Sequence, residues 1–556
     1  MSGAWTPKFV TAIRHYSWSL FQRDLVAGVT VGLVALPLAM AFAIASGLSP
    51  QQGIYCAVIT GFVISALGGS NVQIGGPTGA FVVVVAGIVA EYGVSGLYIC
   101  TAMAGVMLIV MGLTKTGSAV KFIPRPIVVG FTNGIAILIA STQLRDFFGI
   151  QVTANPGGFV ERIRMLAGQA STFSVESTLV AAGTVAVIVL VNKYLKVVPG
   201  TIVALAAGTV AVYALGLPID TVGSRFGGVP SGLPDVQIPP FHPSLLLELL
   251  SPALTIAMLG AIESLMSAVV ADRMTGDRHN PNIELIAQGV ANVLSPMVGG
   301  LPATGAIART ATNVRSGART PVAGIVHALT LLVILLVGAP LAGHIPMAVL
   351  AGILMVVAAN MGEWSEIRPL LRLTYADRAV WFVTVFLTVF ADLTVAVEVG
   401  MVLAALLFIK RVSRTTTVSR VTEDYVAEGR KHVLQEKPIP DDVAIFRIHG
   451  PFLFGSTDQL HRVTDDIDSL PPTVIFRLRN MTAIDATGLK ALEDAASRLR
   501  ASGRATIFCG APPQPAGVMA RSGFAAHVGA ENVCDNVDAA LARAAALRDQ
   551  RVRKTG

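Results

Sequence analysis

Apolar stretches long enough to cross a lipid bilayer recur along this chain from about residue 25 to about residue 410. A helix needs about 20 mostly apolar residues to cross the hydrocarbon layer. Residues 26–46 form one such stretch, and residues 379–407 form another that only Asp392 and Glu398 interrupt. The chain is 53% hydrophobic and 13% charged, whereas an ordinary soluble domain carries about 25% charged residues. The sequence therefore predicts an α-helical polytopic membrane protein embedded in lipid.

Basic residues flank the apolar region at both ends. Lys8, Arg14 and Arg23 precede the first stretch, and Lys410 and Arg411 follow the last. Short cytoplasmic loops carry an excess of Lys and Arg, so both termini are predicted to be cytoplasmic, which requires an even number of crossings. Counting apolar stretches gives roughly 12 to 14 segments. The same bias accounts for the net charge of +7, and no nucleic-acid partner is expected.

The composition becomes polar after about residue 412. Beyond that point, short strand-like runs alternate with a stretch of helical spacing, which is typical of a small α/β domain. The strand-like runs are residues 443–448, 474–478 and 505–509, and the helical spacing covers residues 488–499. The predicted domains are a cytoplasmic N-terminus (1–22), a membrane domain (23–412), a linker (413–440) and the α/β domain (441–550).

Two short segments in the membrane domain echo each other. Residues 76–81 read Gly-Pro-Thr-Gly-Ala-Phe, and residues 302–307 read Pro-Ala-Thr-Gly-Ala-Ile. Their threonines, Thr78 and Thr304, lie 226 residues apart in corresponding places of the two halves. Paired Gly/Pro interruptions of this kind indicate the binding site of a transporter built from inverted repeats. The alternative is that each segment only kinks an ordinary membrane helix.

Each echo segment has the features of a helix that begins inside the membrane. Proline suits the first turn, where its missing N–H would have no intrahelical partner. Small residues let the backbone approach a ligand closely. The free N–H groups and the positive end of the helix dipole attract anions. Two such helix starts facing each other would form an anion site.

Arg309 follows the second echo segment closely. An arginine at membrane depth is costly and usually faces the protein interior or a water-filled pathway. We interpret Arg309 as a fixed positive charge for an anionic substrate. The alternative is an arginine that faces the cytoplasm, as Arg315 and Arg319 would.

Glu263 is the single charged residue in the apolar run 254–270. A buried carboxylate must pair, bind a cation or be protonated. Glu263 is therefore the leading candidate for coupling transport to H⁺, with Na⁺ as the other option. A structural ion pair with Arg309 is the alternative. The charged residues that follow are expected to be loop or interface groups; these are Asp272, Arg273, Asp277, Arg278 and Glu284.

Motifs of enzymes and of nucleotide-driven pumps are missing from the sequence. It contains no phosphate-binding Gly-x-x-x-x-Gly-Lys-Ser/Thr loop, no nucleophile elbow and no cluster of metal-ligating spacing. The four cysteines show no metal or disulfide pattern. We therefore expect neither an enzyme nor a bound cofactor.

At these residues the chain resembles the sulfate permease family of anion transporters. The resemblance is carried by residues 32–43, 260–265 and 299–313, together with residues 317–321. It implies 14 segments in two inverted repeats of seven helices, divided into a core and a gate domain, and a homodimer. It also implies a substrate site and a coupling-ion site. The substrate site would comprise Phe42, Thr78, Gly79, Ala80, Ala306, Ile307, Ala308 and Arg309, and the coupling-ion site Glu263, Ser267 and Thr304.

The C-terminal domain resembles a STAS domain, through residues 484–489. In soluble members the residue after the signature aspartate is a phosphorylated serine, but here it is Ala486, so that switch is not expected. Thr487 could be phosphorylated or could simply cap a helix. We expect the domain to support dimer assembly or trafficking.

Together these features predict a secondary active transporter of a small anion in a bacterial inner membrane. Sulfate-type anions and C4-dicarboxylates are the favoured substrates, with proton symport by an elevator-like motion. Sodium-driven bicarbonate relatives carry aspartate where this chain has Glu263, and the longer carboxylate favours protons over a tight sodium site. Sodium-coupled bicarbonate transport is the alternative. An uncoupled exchanger or channel, a nucleobase transporter and a membrane-anchored sensor are further alternatives.

Overall fold

The chain folds into two compact units, Met1–Val402 and Leu403–Gly556. The first unit is helical and the second is an α/β domain. The computed structural model describes residues 5–14, 16–117, 124–152, 158–195, 199–228, 232–234, 236–237, 243–391, 393–420, 439–458, 460 and 467–555.

The membrane unit is built from helices, which we number in chain order. The helices of its first half are α1 (Lys8–Ile13), α2 (Trp18–Ala45), α3 (Pro50–Leu67), α4 (Gly79–Leu113), α5 (Arg125–Phe148), α6 (Phe159–Gly168), α7 (Val175–Tyr194), α8 (Gly200–Ala214) and α9 (Val222–Phe226). Those that follow are α10 (Leu250–Thr275), α11 (Pro281–Leu294), α12 (Ile307–Arg315), α13 (Val322–Ala342), α14 (Met347–Met361), α15 (Trp364–Leu371) and α16 (Tyr375–Phe390). Helix α17 (Leu393–Thr415) begins in this unit and ends in the second.

Eight helical stretches in the described part of the chain are long and apolar enough to cross a membrane. They are α2, α3, α4, α5, α7, α10, α13 and the stretch Met347–Leu371. The 35 residues of α4 would extend about 50 Å as a straight helix, well beyond the bilayer core. Gly93, with φ of +69°, interrupts it. The multi-pass architecture is thus confirmed, whereas the count of 14 segments stays a prediction.

Local sequence signals set several helix ends. Asn280 caps α11 by accepting hydrogen bonds from the N–H groups of Asn282 and Ile283, as Asn does at helix starts. Gly149 ends α5 and Gly276 ends α10, both in the left-handed conformation that glycine adopts without a steric penalty. These ends fix the lengths of two helices that flank the site described below.

Small residues bring neighbouring helices into close contact. A Cβ added to Gly105 of α4 would lie 2.7 Å from the carbonyl oxygen of Gly289 on α11, and one added to Gly289 would lie 2.6 Å from the Gly105 oxygen. A Cβ on Gly53 of α3 would lie 2.0 Å from the Ala39 oxygen on α2. Membrane helices pack mainly through such close backbone approaches, because lipid provides little hydrophobic drive.

Two short strands join the halves of the membrane unit. Strand β1 (Gly75–Gly76) pairs antiparallel with β2 (Thr304–Gly305), with Gly75 opposite Gly305 and Gly76 opposite Thr304. Non-helical backbone at membrane depth must find its hydrogen bonds within the protein. The ladder supplies them and places the start of α4 beside the start of α12.

The second unit contains a five-stranded sheet in the order β3-β4-β5-β6-β7. The edge strand β3 is antiparallel to its neighbour, and the other pairs are parallel. Its strands are β3 (Thr417–Arg420), β4 (Val443–Phe452), β5 (Thr473–Ile484), β6 (Ala505–Cys509) and β7 (Val533–Cys534), and its helices Ala486–Ala501, Pro513–Arg521, Phe524–Val528 and Val537–Thr555. The three strand-like runs and the helix identified from the sequence all occur.

The structure describes only part of the predicted linker at residues 413–440. Helix α17 continues to Thr415, and β3 pairs with β4 as an edge strand of the sheet. Val418 packs against the hydrophobic core of the α/β unit, which gives this polar stretch one apolar anchor. Residues 421–438 of the predicted linker lie outside the described residues.

Candidate functional site

The two echo segments meet in the structure. Because β1 pairs with β2, the backbone of the first segment lies against that of the second. Helix α4 begins at Gly79, with two residues between it and β1, and α12 begins at Ile307, with one residue between it and β2. The nine residues of α12 span about 14 Å, roughly half the hydrocarbon thickness. Two helix N-termini, with their positive dipole ends, are therefore adjacent within the membrane unit.

Thr78 connects the first segment to Glu263. It occupies the N-cap position of α4, but its hydroxyl does not cap that helix. Instead Thr78 Oγ1 donates to Glu263 Oε2 at 3.1 Å. Gly79 and Ala80 follow in the first turn, and both are buried. The carboxylate of α10 is thus held at the start of α4.

Arg309 reaches from the second segment back to the first. Its side chain is buried, with 3% of its surface exposed. Its Nη2 donates to the carbonyl oxygen of Pro77, while Nη1 finds no hydrogen-bond partner among the described residues. Leaving a charged donor buried and unsatisfied costs more than about 1–3 kcal/mol. The guanidinium therefore offers a ready donor to an anion.

Gly76 makes room for this arginine. A Cβ at residue 76 would lie 2.6 Å from Arg309 Nη1, and the residue has φ of +146°, a conformation that favours glycine. Both the backbone and the space thus require glycine here. The structure does not support the predicted alternative of a cytoplasm-facing Arg309, because a buried guanidinium bound to Pro77 cannot face solvent.

The alternative in which Glu263 forms an ion pair with Arg309 also differs from the arrangement seen. In the part of the chain that the structure describes, the contact of Glu263 is to Thr78 and that of Arg309 is to Pro77, with no ion pair of 4.0 Å or less between the two. The carboxylate and the guanidinium are held by two consecutive residues of the first segment, Thr78 and Pro77.

The remaining predicted residues of the second segment are divided between two environments. Ala306 is buried, and its N–H donates to the Ile74 oxygen at 2.8 Å, so that group is occupied by the first segment. Ile307 is half-buried and Ala308 is exposed in the first turn of α12. The binding surface of α12 is thus limited to the N–H groups that follow Ala306.

Phe42, which the resemblance assigns to the substrate site, lies against the first segment. It is 5% exposed on α2, and its Cε1 would lie 3.4 Å from a Cβ on Gly79. Ile139 and Met361 approach the same position, at 3.0 Å and 3.3 Å. Helices α2, α5 and α14 therefore converge on the start of α4.

Ser267 and Thr304, predicted to share the coupling site with Glu263, point into structural hydrogen bonds. Ser267 Oγ donates to Thr310 Oγ1 at 3.0 Å, and Thr304 Oγ1 donates to the Gly260 oxygen at 2.8 Å. Both side chains are completely buried. They link α10 to the second segment, and neither contacts Glu263 through these bonds.

Comparison with known proteins identifies the chain's relatives. Residues 21–384 match the sulfate permease family, and residues 435–540 match the STAS domain. The chain belongs to the sulfate permease family. It is 40% identical over 533 residues to a putative sulfate transporter, YvdB, of Bacillus subtilis, covering 96% of this chain and 99% of that protein. As a sulfate permease it is a multi-pass membrane protein that transports anions.

Solved structures of sulfate permease relatives share the fold. The transmembrane domain of a cyanobacterial bicarbonate transporter, BicA, is 34% identical, with a TM-score of 0.63 over 70% of this chain and 98% of that one. A murine Solute Carrier 26 family anion transporter, member A9, has a TM-score of 0.86 at 18% identity, covering 98% of this chain and 94% of that one. The latter likeness concerns the fold alone.

The position of Glu284 in this sulfate permease differs from the one expected from the sequence. It was expected to be a loop or interface charge, but it is completely buried in α11. Gly69 N and Gln288 Nε2 each donate to it at 2.9 Å, and Ser264 Oγ does so at 3.4 Å. Its partners come from the loop after α3, from α11 and from α10, so this carboxylate connects three elements through hydrogen bonds.

Asn292 is a residue that the sequence reasoning missed. Its side-chain amide donates to the Ala303 oxygen and accepts from the Ala303 N–H, both at 2.8 Å. A side-chain amide thus pairs with the second segment as a neighbouring strand would. A buried amide in an apolar helix is the signal that could have identified it, since such groups require partners.

The site combines groups that can bind an anion reversibly. No group of three or more His, Cys, Asp or Glu residues that could hold a metal occurs among the residues that the structure describes. The site offers one buried cation, helix-start N–H groups and one carboxylate that a neighbouring hydroxyl holds in place.

Proposed function

We propose that this sulfate permease is a secondary active transporter that moves a small oxyanion together with a proton. One observation carries the proposal: a carboxylate and an incompletely bonded guanidinium are hydrogen-bonded to adjacent residues, Glu263 to Thr78 and Arg309 to Pro77. The guanidinium and the helix starts would bind the anion. The carboxylate would carry the coupling proton, because protonation would remove a negative charge that repels the substrate.

The substrate is proposed to be sulfate or bicarbonate. The putative sulfate transporter of Bacillus subtilis and the BicA bicarbonate transporter are both similar over long stretches. C4-dicarboxylates are the third class to test. The proposed site uses backbone N–H groups and one arginine. The charge and the size of the anion would therefore determine selectivity more than contacts to particular atoms of the substrate.

Sodium-coupled bicarbonate transport is the second candidate. It is favoured by the 34% identity with the BicA transmembrane domain. The position of Glu263 argues for protons, because one of its oxygens already accepts from Thr78 and the hydroxyls of Ser267 and Thr304 bond elsewhere. A sodium ion needs several converging oxygens, and this carboxylate has one close polar neighbour among the described hydrogen bonds.

The assembly and orientation of the protein are part of the same proposal. We place both termini in the cytoplasm of a bacterium, with the chain in the inner membrane, on the basis of the basic residues that flank the apolar region. A homodimer and an elevator-like motion of the core against the gate follow from family membership. The STAS domain would support assembly or trafficking.

The test is uptake of labelled sulfate, bicarbonate and succinate into proteoliposomes, with and without an inward proton gradient. Wild-type protein should accumulate one of these anions faster with the gradient. Glu263→Gln should transport without responding to the gradient, whereas Glu161→Gln, at an exposed carboxylate, should respond normally. Arg309→Ala should raise the concentration for half-maximal uptake by about tenfold or more.

Each competing function predicts a different result. Stimulation by sodium alone would favour the bicarbonate symporter. Flux that follows voltage and ignores both gradients would indicate a channel or an exchanger. An unchanged proton response in Glu263→Gln would contradict the coupling assignment, and wild-type affinity in Arg309→Ala would place the anion elsewhere.

A further inference from the structure

A cavity of about 240 Å³ lies within the membrane unit at the end of α2 that carries Ala45. Helices α2, α5, α9 and α14 form its walls, and Ala41 is one of the lining residues. Ala41 directly precedes Phe42, which lies against Gly79 in the site described above. The cavity therefore reaches the neighbourhood of that site from one side, between α2 and the helices α5 and α14.

The polar wall of the cavity contains two arginines and one aspartate. Arg225 is fully engaged: its Nη1 contacts Asp146 Oδ1 at 2.8 Å, and its Nη2 contacts Asp220 Oδ2 at 3.1 Å. Arg145 is not matched in this way. Its Nε is 4.0 Å from the same Asp146 oxygen that Arg225 already occupies, which is too long for a hydrogen bond.

Arg145 has a buried donor without a partner. Its Nε is shielded from solvent and makes no hydrogen bond to any group in the described ranges, although the side chain as a whole is 30% exposed. Thr142 and Gln143 of α5 line the same wall, but the Thr142 hydroxyl donates to the Ile139 oxygen at 2.7 Å and Gln143 Nε2 donates to Thr142 Oγ1 at 2.7 Å. The donors left for an oxyanion are the guanidinium and the second amide hydrogen of Gln143.

A simpler role for Arg145 would be to offset the negative end of the α5 dipole, since it lies in the last turn of that helix. That role needs only a charge near the helix end. It does not require the side chain to line a cavity, as Arg145 does. A ligand there would be bound by the accessible part of the guanidinium, because Nε itself is closed off from the cavity as well as from solvent.

We propose that this cavity is a second oxyanion site, in which Arg145 binds a sulfate- or bicarbonate-type anion apart from the Arg309 site. Arg145 contacts the anion, and Arg225 holds Asp146 away from it by occupying its carboxylate. The inference rests on the anion-transport function of the family and adds a second binding site between α2 and the helices α5 and α14. It does not depend on proton coupling.

The test measures protection of a cysteine in the cavity, which does not require transport. Ile44 lines the cavity and is half-buried. Ile44→Cys is introduced together with Cys534→Ser, because Cys534 is the least buried native cysteine. Labelling by a methanethiosulfonate reagent is followed as sodium sulfate or sodium bicarbonate replaces sodium gluconate at constant ionic strength. Sulfate or bicarbonate should slow labelling in a saturable way.

Variants of Arg145 test whether this side chain binds the protecting anion. Arg145→Gln should raise the anion concentration for half-maximal protection by about tenfold or more, whereas Arg145→Lys should retain most of the protection. Arg164→Gln, at an exposed arginine of α6, should behave like the parent. Arg309→Ala should leave protection in place, because it affects the other site.

Two results would overturn the second site. One is unchanged protection in Arg145→Gln. The other is loss of protection in Arg309→Ala but not in Arg145→Gln, which would attribute the effect to the Arg309 site. Equilibrium binding of labelled sulfate to purified protein gives an independent reading: about two anions per chain are expected in the wild type and about one in Arg145→Gln, and an equal number in both would contradict the proposal.

Discussion

Replacing Gly76 by alanine should weaken anion binding without removing any ligand-binding group. The added Cβ would lie 2.6 Å from Arg309 Nη1. Ordinary contact begins at about 3.5 Å, so the guanidinium must retreat by about 0.9 Å. A movement of that size breaks its hydrogen bond to Pro77 and shifts the donor that we assign to the anion. The perturbation thus acts on Arg309 through space.

The magnitude follows from the two interactions affected. A hydrogen bond from a charged group contributes about 1.5–3 kcal/mol, which corresponds to roughly a tenfold to hundredfold loss of anion affinity. The positive φ of +146° at Gly76 adds backbone strain of about 1–3 kcal/mol, which lowers stability. Affinity and stability should therefore both fall.

Gly93→Ala is the matched control. Gly93 also has a positive φ, of +69°, but a Cβ there would meet nothing within 4 Å. This variant should show the loss of stability without the loss of affinity. The assays are equilibrium binding of labelled sulfate and bicarbonate to purified protein and its thermal unfolding. Wild-type affinity in Gly76→Ala, or an equal loss of affinity in both variants, would refute the role assigned to the space beside Gly76.

Three further predictions concern stability. Asn292→Ala should cost about 2 kcal/mol or more, because it leaves the buried N–H and carbonyl of Ala303 without partners, and should lower the melting temperature. Burial and the neighbouring charge of Asp24 raise the pKa of Tyr16 from 10 to about 12. The folded state therefore favours the neutral phenol. The contribution of Tyr16 to the stability of the fold is complete below pH 10 and disappears as the pH rises from 10 to 12. Tyr16→Phe should therefore flatten the decline of the melting temperature over that range. Phe476→Ala should cost about 3–5 kcal/mol, since its ring is completely buried, and limited proteolysis should then cleave the STAS unit sooner.

The controls for these predictions come from the same chain. Gln151→Ala, at an exposed amide, should leave the melting temperature unchanged, and an equal effect would contradict the role given to Asn292. A decline above pH 10 that is as steep in Tyr16→Phe as in the wild type would assign the titration to other groups. Phe454→Ala, at a ring that is 54% exposed, should not alter proteolysis, and faster cleavage there would contradict the importance of the Phe476 core.

The sequence predicted the features that depend on local composition. The apolar stretches indicated the membrane unit. The Gly/Pro interruptions at residues 76–81 and 302–307 indicated the two helix starts, because a break in a helix inside a membrane is tolerated only where other groups bond to the exposed backbone. The alternation of apolar residues predicted the strands of the α/β unit. In these cases the signal lies within a few neighbouring residues.

The features that the sequence did not predict depend on partners far along the chain. Glu284 looked like a loop charge because it follows a run of charged residues, and its burial depends on the N–H of Gly69. Ser267 and Thr304 were assigned by resemblance to ion coupling, yet their hydroxyls bond to Thr310 and Gly260. No local pattern specifies where a hydroxyl points when its acceptor belongs to another helix.

The β1–β2 ladder has a consequence for how the protein is made. Neither echo segment is complete alone: the Ile74 oxygen accepts from Ala306, and Arg309 crosses to Pro77. During synthesis the first segment therefore emerges more than 220 residues before the groups that satisfy it. Until α12 is inserted, its polar backbone must be covered by water, lipid headgroups or the insertion machinery. The site that we propose for the anion would thus form late in biogenesis, when the second half of the membrane unit closes onto the first.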